Sequence, residues 1–283
     1  MQLILISGLS GSGKSIVLNV LEDAGYFCVD NLPLPLLPHL VDQLGREGYG
    51  RAAVAMDMRG GTDVAAFLPQ QLRDLRAAGN IDVRFIFLDA RDEVLIQRFS
   101  ETRRRHPLAI DNTTLAEAIA RERDALAVLA SLGHHIDTSN LRPHALRAFV
   151  KDFVELGDGA GLTLMFESFG FKHGLPMDAD LVFDVRCLPN PHYAQLLRPL
   201  TGLDADVISF LDGDPNVQRM VADVGRFVGD WLPDYIRDNR SYLTIALGCT
   251  GGQHRSVYIA ERLAARFRDV VRVLVRHRSL VSS

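Results

Sequence analysis

A glycine-rich segment near the start of the chain restricts the fold more than any other feature. Residues 8–15 read Gly-Leu-Ser-Gly-Ser-Gly-Lys-Ser, which matches the pattern G-x-x-x-x-G-K-[ST] at every fixed position. An apolar run precedes the segment and a helical pattern over 16–23 follows it, which is the strand–loop–helix context that a phosphate-binding loop requires. Glycines let the backbone wrap a phosphate, and the amides of the helix N-terminus attract the anion. The sequence predicts a nucleotide-binding P-loop at Gly8, Leu9, Ser10, Gly11, Ser12, Gly13, Lys14 and Ser15, with Lys14 on the β- and γ-phosphates and Ser15 on Mg²⁺.

Apolar runs alternate with helical spacing over the first half of the chain. The strand-like runs lie at 3–7, 26–29, 52–56, 83–88 and 135–136, and one of the helical stretches spans 115–132. This alternation predicts a parallel sheet with helices on both faces. Together with the loop it indicates an α/β fold whose N-terminal domain, 1–155, is a P-loop kinase-like, doubly wound parallel sheet.

A second domain is expected after a glycine-rich stretch at 155–161. A chain of 283 residues has room for about two domains. Strand-like segments follow at 163–167, 181–185, 242–247 and 270–275, with helical patterns near 215–230 and 254–268. The sequence therefore predicts a smaller C-terminal α/β domain over 162–283.

A P-loop needs a carboxylate beyond a neighbouring strand to hold Mg²⁺ through water. Asp57 and Asp89 each end a strand-like run. If the third strand lies beside the P-loop strand, as in kinases, Asp57 is favoured, and Arg59 points to the same side. Asp92 and Glu93 follow Asp89 and indicate a helix N-terminus there instead. The predicted metal ligands are therefore Ser15 and Asp57.

A second glycine-rich loop, Gly248-Cys-Thr-Gly-Gly-Gln-His-Arg-Ser256, also follows a strand and opens a helix. Such a loop favours a phosphate or phosphosugar ligand, because an arginine fork and hydroxyl donors join the amides. The residues predicted for this site are Asp184, His192, Thr250, Gly251, Gly252, His254, Arg255 and Ser256. The same letters spell the loop of cysteine phosphatases, in which the cysteine is the nucleophile. The histidine usual before that cysteine is replaced by Gly248, which favours binding over catalysis.

Composition excludes several classes of protein. The longest apolar runs are far shorter than the roughly 20 residues of a membrane-spanning helix, and the first residues lack a secretion signal. The three cysteines are far apart, which excludes a disulfide scaffold and fits a cytoplasmic protein. Residues 241–283 contain seven arginines and two carboxylates within a chain of net charge −4. This basic end predicts RNA contacts at Arg266, Arg268, Arg272, Arg276 and Arg278, the alternatives being an oligomer contact or a solvated surface.

Long motifs in both halves resemble the RapZ/YvcJ family of bacterial P-loop proteins, which are also known as RNase adapter proteins. They are GLSGSGKS at 8–15, VDNLP at 29–33, IDTS at 136–139, FESFGFKHG at 166–174, ADLVFDVRCLPNPH at 179–192, LRPLTGLD at 197–204 and NRSYLTIALGCTGGQHRSVYIAE at 239–261. The resemblance implies ATP and GTP binding at the P-loop, with weak hydrolysis in some members. It places a second nucleotide segment at Asp57, Met58, Arg59 and Gly60.

The same resemblance implies that the C-terminal domain binds small regulatory RNA. In enterobacterial members this domain senses glucosamine-6-phosphate, and the RNA is delivered to an endoribonuclease by a homo-oligomer. Arg276-His-Arg278 is followed here by Ser-Leu-Val-Ser-Ser, without the lysine-rich tail of many RNA-binding members. Because RNA affinity depends on phosphate neutralisation, weaker RNA binding is expected. The alternative function is a small-molecule kinase or a stand-alone NTPase.

Overall fold

The computed structural model describes residues 1–56, 64–77, 81–109, 113–155, 162–238, 240 and 242–280. The chain divides into two compact units, Met1–Ala160 and Gly161–Ser283. Each unit is built on its own parallel sheet.

The first unit contains a five-stranded parallel sheet of order β2-β3-β1-β4-β5. Its strands are β1 (Gln2–Gly8), β2 (Phe27–Val29), β3 (Arg51–Ala55), β4 (Asp82–Asp89) and β5 (His134–Asp137). Its helices are α1 (Lys14–Asp23), α2 (Leu37–Arg46), α3 (Val64–Ala77), α4 (Asp92–Thr102), α5 (Leu115–Ala130) and α6 (Pro143–Glu155). The α/β fold with a parallel sheet expected from the sequence is confirmed, and β3 lies directly beside the P-loop strand β1, as the kinase-like strand order predicted.

Strand β1 is buried along its whole length because it is the centre of this sheet. Leu3 and Leu5 belong to a core formed with α2, α3 and α5, while the alternate residues Ile4 and Ile6 are equally buried. Successive side chains of a strand point to opposite faces, so both faces of the sheet are covered. Burial on both sides explains why these strands are continuous apolar runs.

The second unit contains a four-stranded parallel sheet of order β7-β8-β6-β9. Its strands are β6 (Thr163–Gly170), β7 (Leu181–Asp184), β8 (Tyr242–Cys249) and β9 (Arg272–His277), and its helices are α7 (Ala205–Asp212), α8 (Pro215–Arg237) and α9 (Arg255–Phe267). The smaller α/β domain is confirmed. Helix α9 packs on the sheet and α8 packs on α9.

Several boundaries in this unit differ from the sequence patterns, and the largest difference is at the end of α8. Helix α8 continues to Arg237, although the predicted helix stopped near residue 230, because Val228 and Leu232 keep its apolar face in the core. The last strand is shifted by two residues and ends at His277. Arg276, which was predicted to follow the last strand, therefore lies within it.

Candidate functional site: two glycine-rich loops

The first loop joins β1 to α1 through a backbone that only glycine adopts readily. Gly8, Gly11 and Gly13 have φ values of +140°, +84° and +112°. A Cβ on Gly8 would lie 2.1 Å from the carbonyl oxygen of Leu88, so the neighbouring strand β4 also excludes a side chain there. The fixed glycines of the motif are therefore required by the fold as well as by a ligand.

The two polar groups predicted to contact a nucleotide stand at the first turn of α1. Lys14 donates from Nζ to the carbonyl oxygens of Gly8, at 2.5 Å, and Leu9, at 3.3 Å. Its ammonium group is thus folded over the loop, where it would face a bound phosphate. Ser15 is exposed, so its hydroxyl is accessible to a metal ion. The residues present fit a nucleotide with Mg²⁺.

A buried carboxylate beneath this loop is a feature that the sequence patterns missed. Glu122 of α5 is wholly buried and accepts hydrogen bonds from the amide and the hydroxyl of Ser10, both at 2.8 Å. His106 Nε2 lies 3.1 Å from the same carboxylate. Because His106 Nδ1 accepts from the amide of Leu108, the ring proton is on Nε2 and is donated to Glu122. The segment after α4, which carries the exposed arginines at 103–105, is thereby connected to the P-loop.

Arg98 of α4 braces the other side of the loop. Its guanidinium donates to the carbonyl oxygen of Gly11 at 3.0 Å, and to the hydroxyl and carbonyl oxygens of Thr138 at 3.1 and 2.7 Å. The Thr138 hydroxyl lies 2.9 Å from the carbonyl oxygens of Ser12 and Asp89. Burial lowers the pKa of Arg98, against the opposing charges of Asp137 and Glu101. Thr138 belongs to the IDTS motif, whose place beside the loop was not predicted.

Of the two carboxylates considered as Mg²⁺ ligands, that of Asp89 is engaged in hydrogen bonds within the protein. It accepts hydrogen bonds from Arg123 at 2.9 and 3.0 Å and from the amide of Ala90 at 2.7 Å, and His135 lies 3.3 Å away. The helix that Asp92 and Glu93 indicated begins at Asp92, after Asp89 has ended strand β4. The other predicted nucleotide and metal residues, Asp57, Met58, Arg59 and Gly60, lie outside the described residues.

The second loop joins β8 to α9 and has one left-handed glycine, Gly252, at φ +73°. A Cβ there would lie 2.3 Å from Ser279 Oγ and 2.6 Å from the amide nitrogen of Gly170. Two backbone hydrogen bonds hold the loop from outside: Gly202 donates to Gln253 at 2.8 Å, and Lys172 donates to Thr250 at 3.3 Å. Neighbouring segments, and not only the loop's own turns, therefore fix its shape.

Arg255 is 4% exposed and binds carbonyl oxygens with one end of its guanidinium. Its Nη1 donates to Arg186 at 2.7 Å and to Leu188 at 2.9 Å, and its Nη2 lies 3.4 Å from Thr250 Oγ1. Arg255, which was predicted to bind a phosphate, therefore also links α9 to the segment after β7.

Cys249, the last residue of β8, is buried at the base of the loop. Its Sγ accepts the Gly252 amide at 3.2 Å and lies 3.2 Å from Ser256 Oγ. Burial on its own raises the pKa of this thiol, but hydrogen bonds from Ser256 and Gly252 and the charge of Arg255 outweigh it and lower the pKa. Ser256 was predicted to contact a ligand, whereas the structure places its hydroxyl on the sulfur.

The remaining predicted residues surround this loop. The rings of His192 and His254 are 6.4 Å apart, with His192 exposed and His254 buried, and burial lowers the pKa of His254. Asp184 is exposed and pairs with Arg186 at 2.7 Å; hydrogen bonds from Arg186 lower its pKa, and the charge of Arg255 adds to this effect. The structure thus gathers the predicted phosphosugar residues around one loop.

The predicted RNA contacts separate into two groups. Arg266 and Arg268 are exposed and Arg272 is half-buried. The side chains of Arg276 and Arg278 are only 6% exposed and face two buried carboxylates. Arg276 Nη1 lies 3.2 Å from Glu167 and 3.0 Å from Asp178, and Arg278 lies 3.9 and 3.7 Å from them. The expected row of five phosphate contacts is therefore not continuous, because two of its members are buried in ion pairs.

Two features are absent from the described residues. Within those ranges, no helix has the length and apolar character needed to cross a membrane. Nor do these ranges contain a cluster of three or more His, Cys, Asp or Glu side chains able to hold a metal ion.

Both units match the models of known domain families. Residues 1–158 match the model of the RapZ-like N-terminal domain, and residues 162–281 match that of the RapZ C-terminal domain. The chain belongs to the RapZ family.

Relatives in the RapZ family align with the whole chain. A nucleotide-binding protein of Azoarcus sp. (strain BH72) is 66% identical, over 99% of this chain and 95% of the relative. A nucleotide-binding protein of Nitrosomonas europaea is 60% identical, over 99% and 96%. One of Dechloromonas aromatica is 58% identical over the full length of both chains.

Solved structures resemble about half of the chain. A sugar kinase from Janibacter sp. has a TM-score of 0.38 at 18% identity, covering 55% of this chain and 95% of its own. The shikimate kinase of Acinetobacter baumannii has a TM-score of 0.34 at 16% identity, covering 54% and 91%.

Proposed function

We propose that this protein is a cytoplasmic regulator that binds ATP and GTP at the Gly8–Ser15 loop, with weak hydrolysis at most. The observation that carries the proposal is the loop itself: three glycines with positive φ shape it at the N-terminus of α1, and Lys14 folds over it. Such an arrangement attracts the phosphates of a nucleotide. Ser15 would hold Mg²⁺, together with the predicted ligand Asp57. The relatives are named as nucleotide-binding proteins, which supports the same conclusion.

The test is nucleotide titration of Lys14→Ala, with Lys151→Ala as the matched control on an exposed site of the same unit. Lys14→Ala should lose most affinity for ATP and GTP, and the control should bind as the wild type does. At a nucleotide concentration of about 100 Kd, binding should stabilise the wild type by about 2.7 kcal/mol. The same stabilisation in Lys14→Ala would remove the P-loop assignment.

We further propose that the second loop binds a phosphorylated amino sugar such as glucosamine-6-phosphate. Thr250, Gly251 and Gly252 form the turn that leads into α9, and Arg255 places a buried cation beside Thr250. Calorimetry with glucosamine-6-phosphate should give a binding signal that glucosamine does not. Arg255→Lys keeps the charge but loses the planar fork, so it should weaken binding. Equal affinity for the two sugars would contradict a phosphate site.

The third element of the proposal is RNA. We propose that a homo-oligomer binds small regulatory RNA and presents it to an endoribonuclease, with Arg266, Arg268 and Arg272 as the phosphate contacts. Three contacts on single-stranded RNA correspond to a slope of log K against log salt of about −2, whereas four would give about −3. Arg268→Ala should lower that slope and weaken binding similarly for different RNA sequences. Salt-independent filter binding would place the RNA site elsewhere.

A further inference from the structure

The second loop has chemistry that ligand binding alone does not use. Cys249 ends strand β8, five residues follow, and Arg255 opens helix α9. The sulfur thus lies under a turn of backbone amides at the N-terminus of a helix of 13 residues. Thiols in such positions ionise readily, and the thiolate is the nucleophilic form of cysteine.

The partners of the sulfur are those that stabilise a thiolate. Both the Gly252 amide and the Ser256 hydroxyl lie 3.2 Å from Sγ. An amide can only donate, so the sulfur is an acceptor in that contact. The pKa of Cys249 is lowered although the residue is buried. By contrast, burial raises the pKa of Cys28 in the first unit to about 11.

An independent observation points to an anion site at this loop. Nη1 of Arg255 is occupied by the carbonyl oxygens of Arg186 and Leu188, but in the part of the chain that the structure describes no group accepts a hydrogen bond from Nε. The Nε–H and one Nη2–H of a guanidinium form a parallel pair that matches two phosphate oxygens. Nη2 lies beside Thr250 of the loop, so this edge faces the loop. The side chain is 4% exposed and is held so that this edge is free for an oxyanion.

We propose that Cys249 is a nucleophile toward phosphate monoesters, which gives the second loop a phosphatase activity. The proposal rests on the phosphate site argued above and adds covalent chemistry to it. The Cys249 thiolate attacks phosphorus, an S–P bond forms, and the P–O bond to the leaving group breaks with its electron pair. Water then attacks the phosphocysteine, releases inorganic phosphate and regenerates the thiolate, and the net reaction consumes one water.

The substrate class follows from the neighbours of the loop. Asp184 is bound to Arg186, and hydrogen bonds from that arginine lower the pKa of the carboxyl, so it stays ionised and is a poor proton donor. A leaving group that departs as a stable anion needs no proton. The activity is therefore directed at aryl and acyl phosphates, and alkyl phosphates such as sugar phosphates are bound without cleavage. A phosphosugar would then act as a competitive inhibitor of this reaction.

The experiment uses the full chain with 4-nitrophenyl phosphate as the substrate. The variants are Cys249→Ser and, as the matched control, Cys187→Ser, which alters an exposed cysteine of the same unit. Nitrophenolate release should fall by a factor on the order of 10³ or more in Cys249→Ser and should be unchanged in Cys187→Ser. Acid-quenched wild-type protein should carry one phosphoryl group on the peptide that contains Cys249, and glucosamine-6-phosphate should suppress both signals. Thermal unfolding of each variant checks that the fold is retained.

Each other outcome decides against the proposal in a distinct way. Equal turnover by wild type and Cys249→Ser overturns it. Absence of turnover and of adduct in a wild type that still binds glucosamine-6-phosphate also overturns it and leaves the binding function in place. Absence of turnover together with absence of phosphosugar binding removes both the activity and the site on which it rests.

Discussion

The two glycine-rich loops place similar anion-attracting groups at a helix N-terminus by different means. The first loop takes its shape from three left-handed glycines, and its cation, Lys14, contacts carbonyl oxygens of the loop itself. The second has one such glycine, and its cation, Arg255, is buried against carbonyl oxygens of another segment. In the first loop the cation predicted to contact a ligand, Lys14, is therefore not the buried side chain that supports the loop, whereas in the second loop Arg255 is predicted to do both. Substitutions should separate binding from stability in one loop but not in the other.

Glu122 is the structural support of the first loop, and removing it should have the largest effect. Glu122→Ala leaves the Ser10 amide, the Ser10 hydroxyl and His106 Nε2 without their buried acceptor. Each unsatisfied buried donor costs about 1–3 kcal/mol, so we expect a loss of about 4 kcal/mol in the free energy of unfolding. Urea denaturation measures it.

The matched control lies on the same helix. Glu117 is an exposed member of the capping box with Thr114, and Glu117→Ala should cost about 1 kcal/mol. If the two variants were equally stable, Glu122 would not support the P-loop.

Arg255→Ala and Lys14→Ala test the comparison directly. Without Arg255, the carbonyl oxygens of Arg186 and Leu188 lose their donor, and the unfolding free energy should fall by about 3 kcal/mol. Lys14→Ala should stay within about 1 kcal/mol of the wild type, because a lost contact is offset by removing a cation from a helix N-terminus. Chemical denaturation of both variants without ligand gives the two values. Similar losses would mean that Lys14 is also structural.

The smallest effect concerns the pH dependence of the second unit. Burial lowers the pKa of His254 from its ordinary value of 6.5. The unfolded chain then binds the proton more readily than the folded one, so His254 stabilises the fold above pH 6.5 and this contribution is lost as the pH falls through the lower folded pKa. Unfolding measured from pH 7 downward should show a shallower decline in His254→Asn than in the wild type. Parallel curves would indicate that His254 titrates normally.

The sequence predicted the elements with strong local signals and missed contacts between distant residues. The strand before the P-loop, its glycines and the α/β alternation are local patterns, and the structure confirms the fold that they indicate. Glu122 is 112 positions away from Ser10, and within its own helix it is one more glutamate among charged residues. Only the packing of α5 on the sheet brings the two together. The helical spacing of Ile119, Glu122 and Leu126 places Glu122 on the buried face of α5, whereas Glu117 is in the capping position, but neither local signal identifies Ser10 as the partner of Glu122.

The arginines near the C-terminus also show that a local sequence pattern does not reveal contacts between distant residues. Their spacing indicates a basic surface, and Arg266 and Arg268 are exposed. Strand β9 instead places Arg276 beside Glu167 of β6, and its guanidinium faces the buried side chains of Glu167 and Asp178. Charges counted along the sequence do not show that Arg276 and Arg278 face two buried carboxylates about 100 residues upstream. Burial converts apparent surface charges into internal ion pairs.

The position of the first strand in each sheet has a consequence for synthesis on the ribosome. Strand β1 pairs with β3 and β4, so its second edge stays open until Asp89 has been made. At about 5–20 residues per second, translating that interval takes roughly 4–16 s. One edge of strand β6 likewise stays unpaired until β9, which ends at His277, has been made. Each nascent unit therefore exposes an unpaired apolar strand for seconds, which is the period in which a chaperone would be expected to engage it.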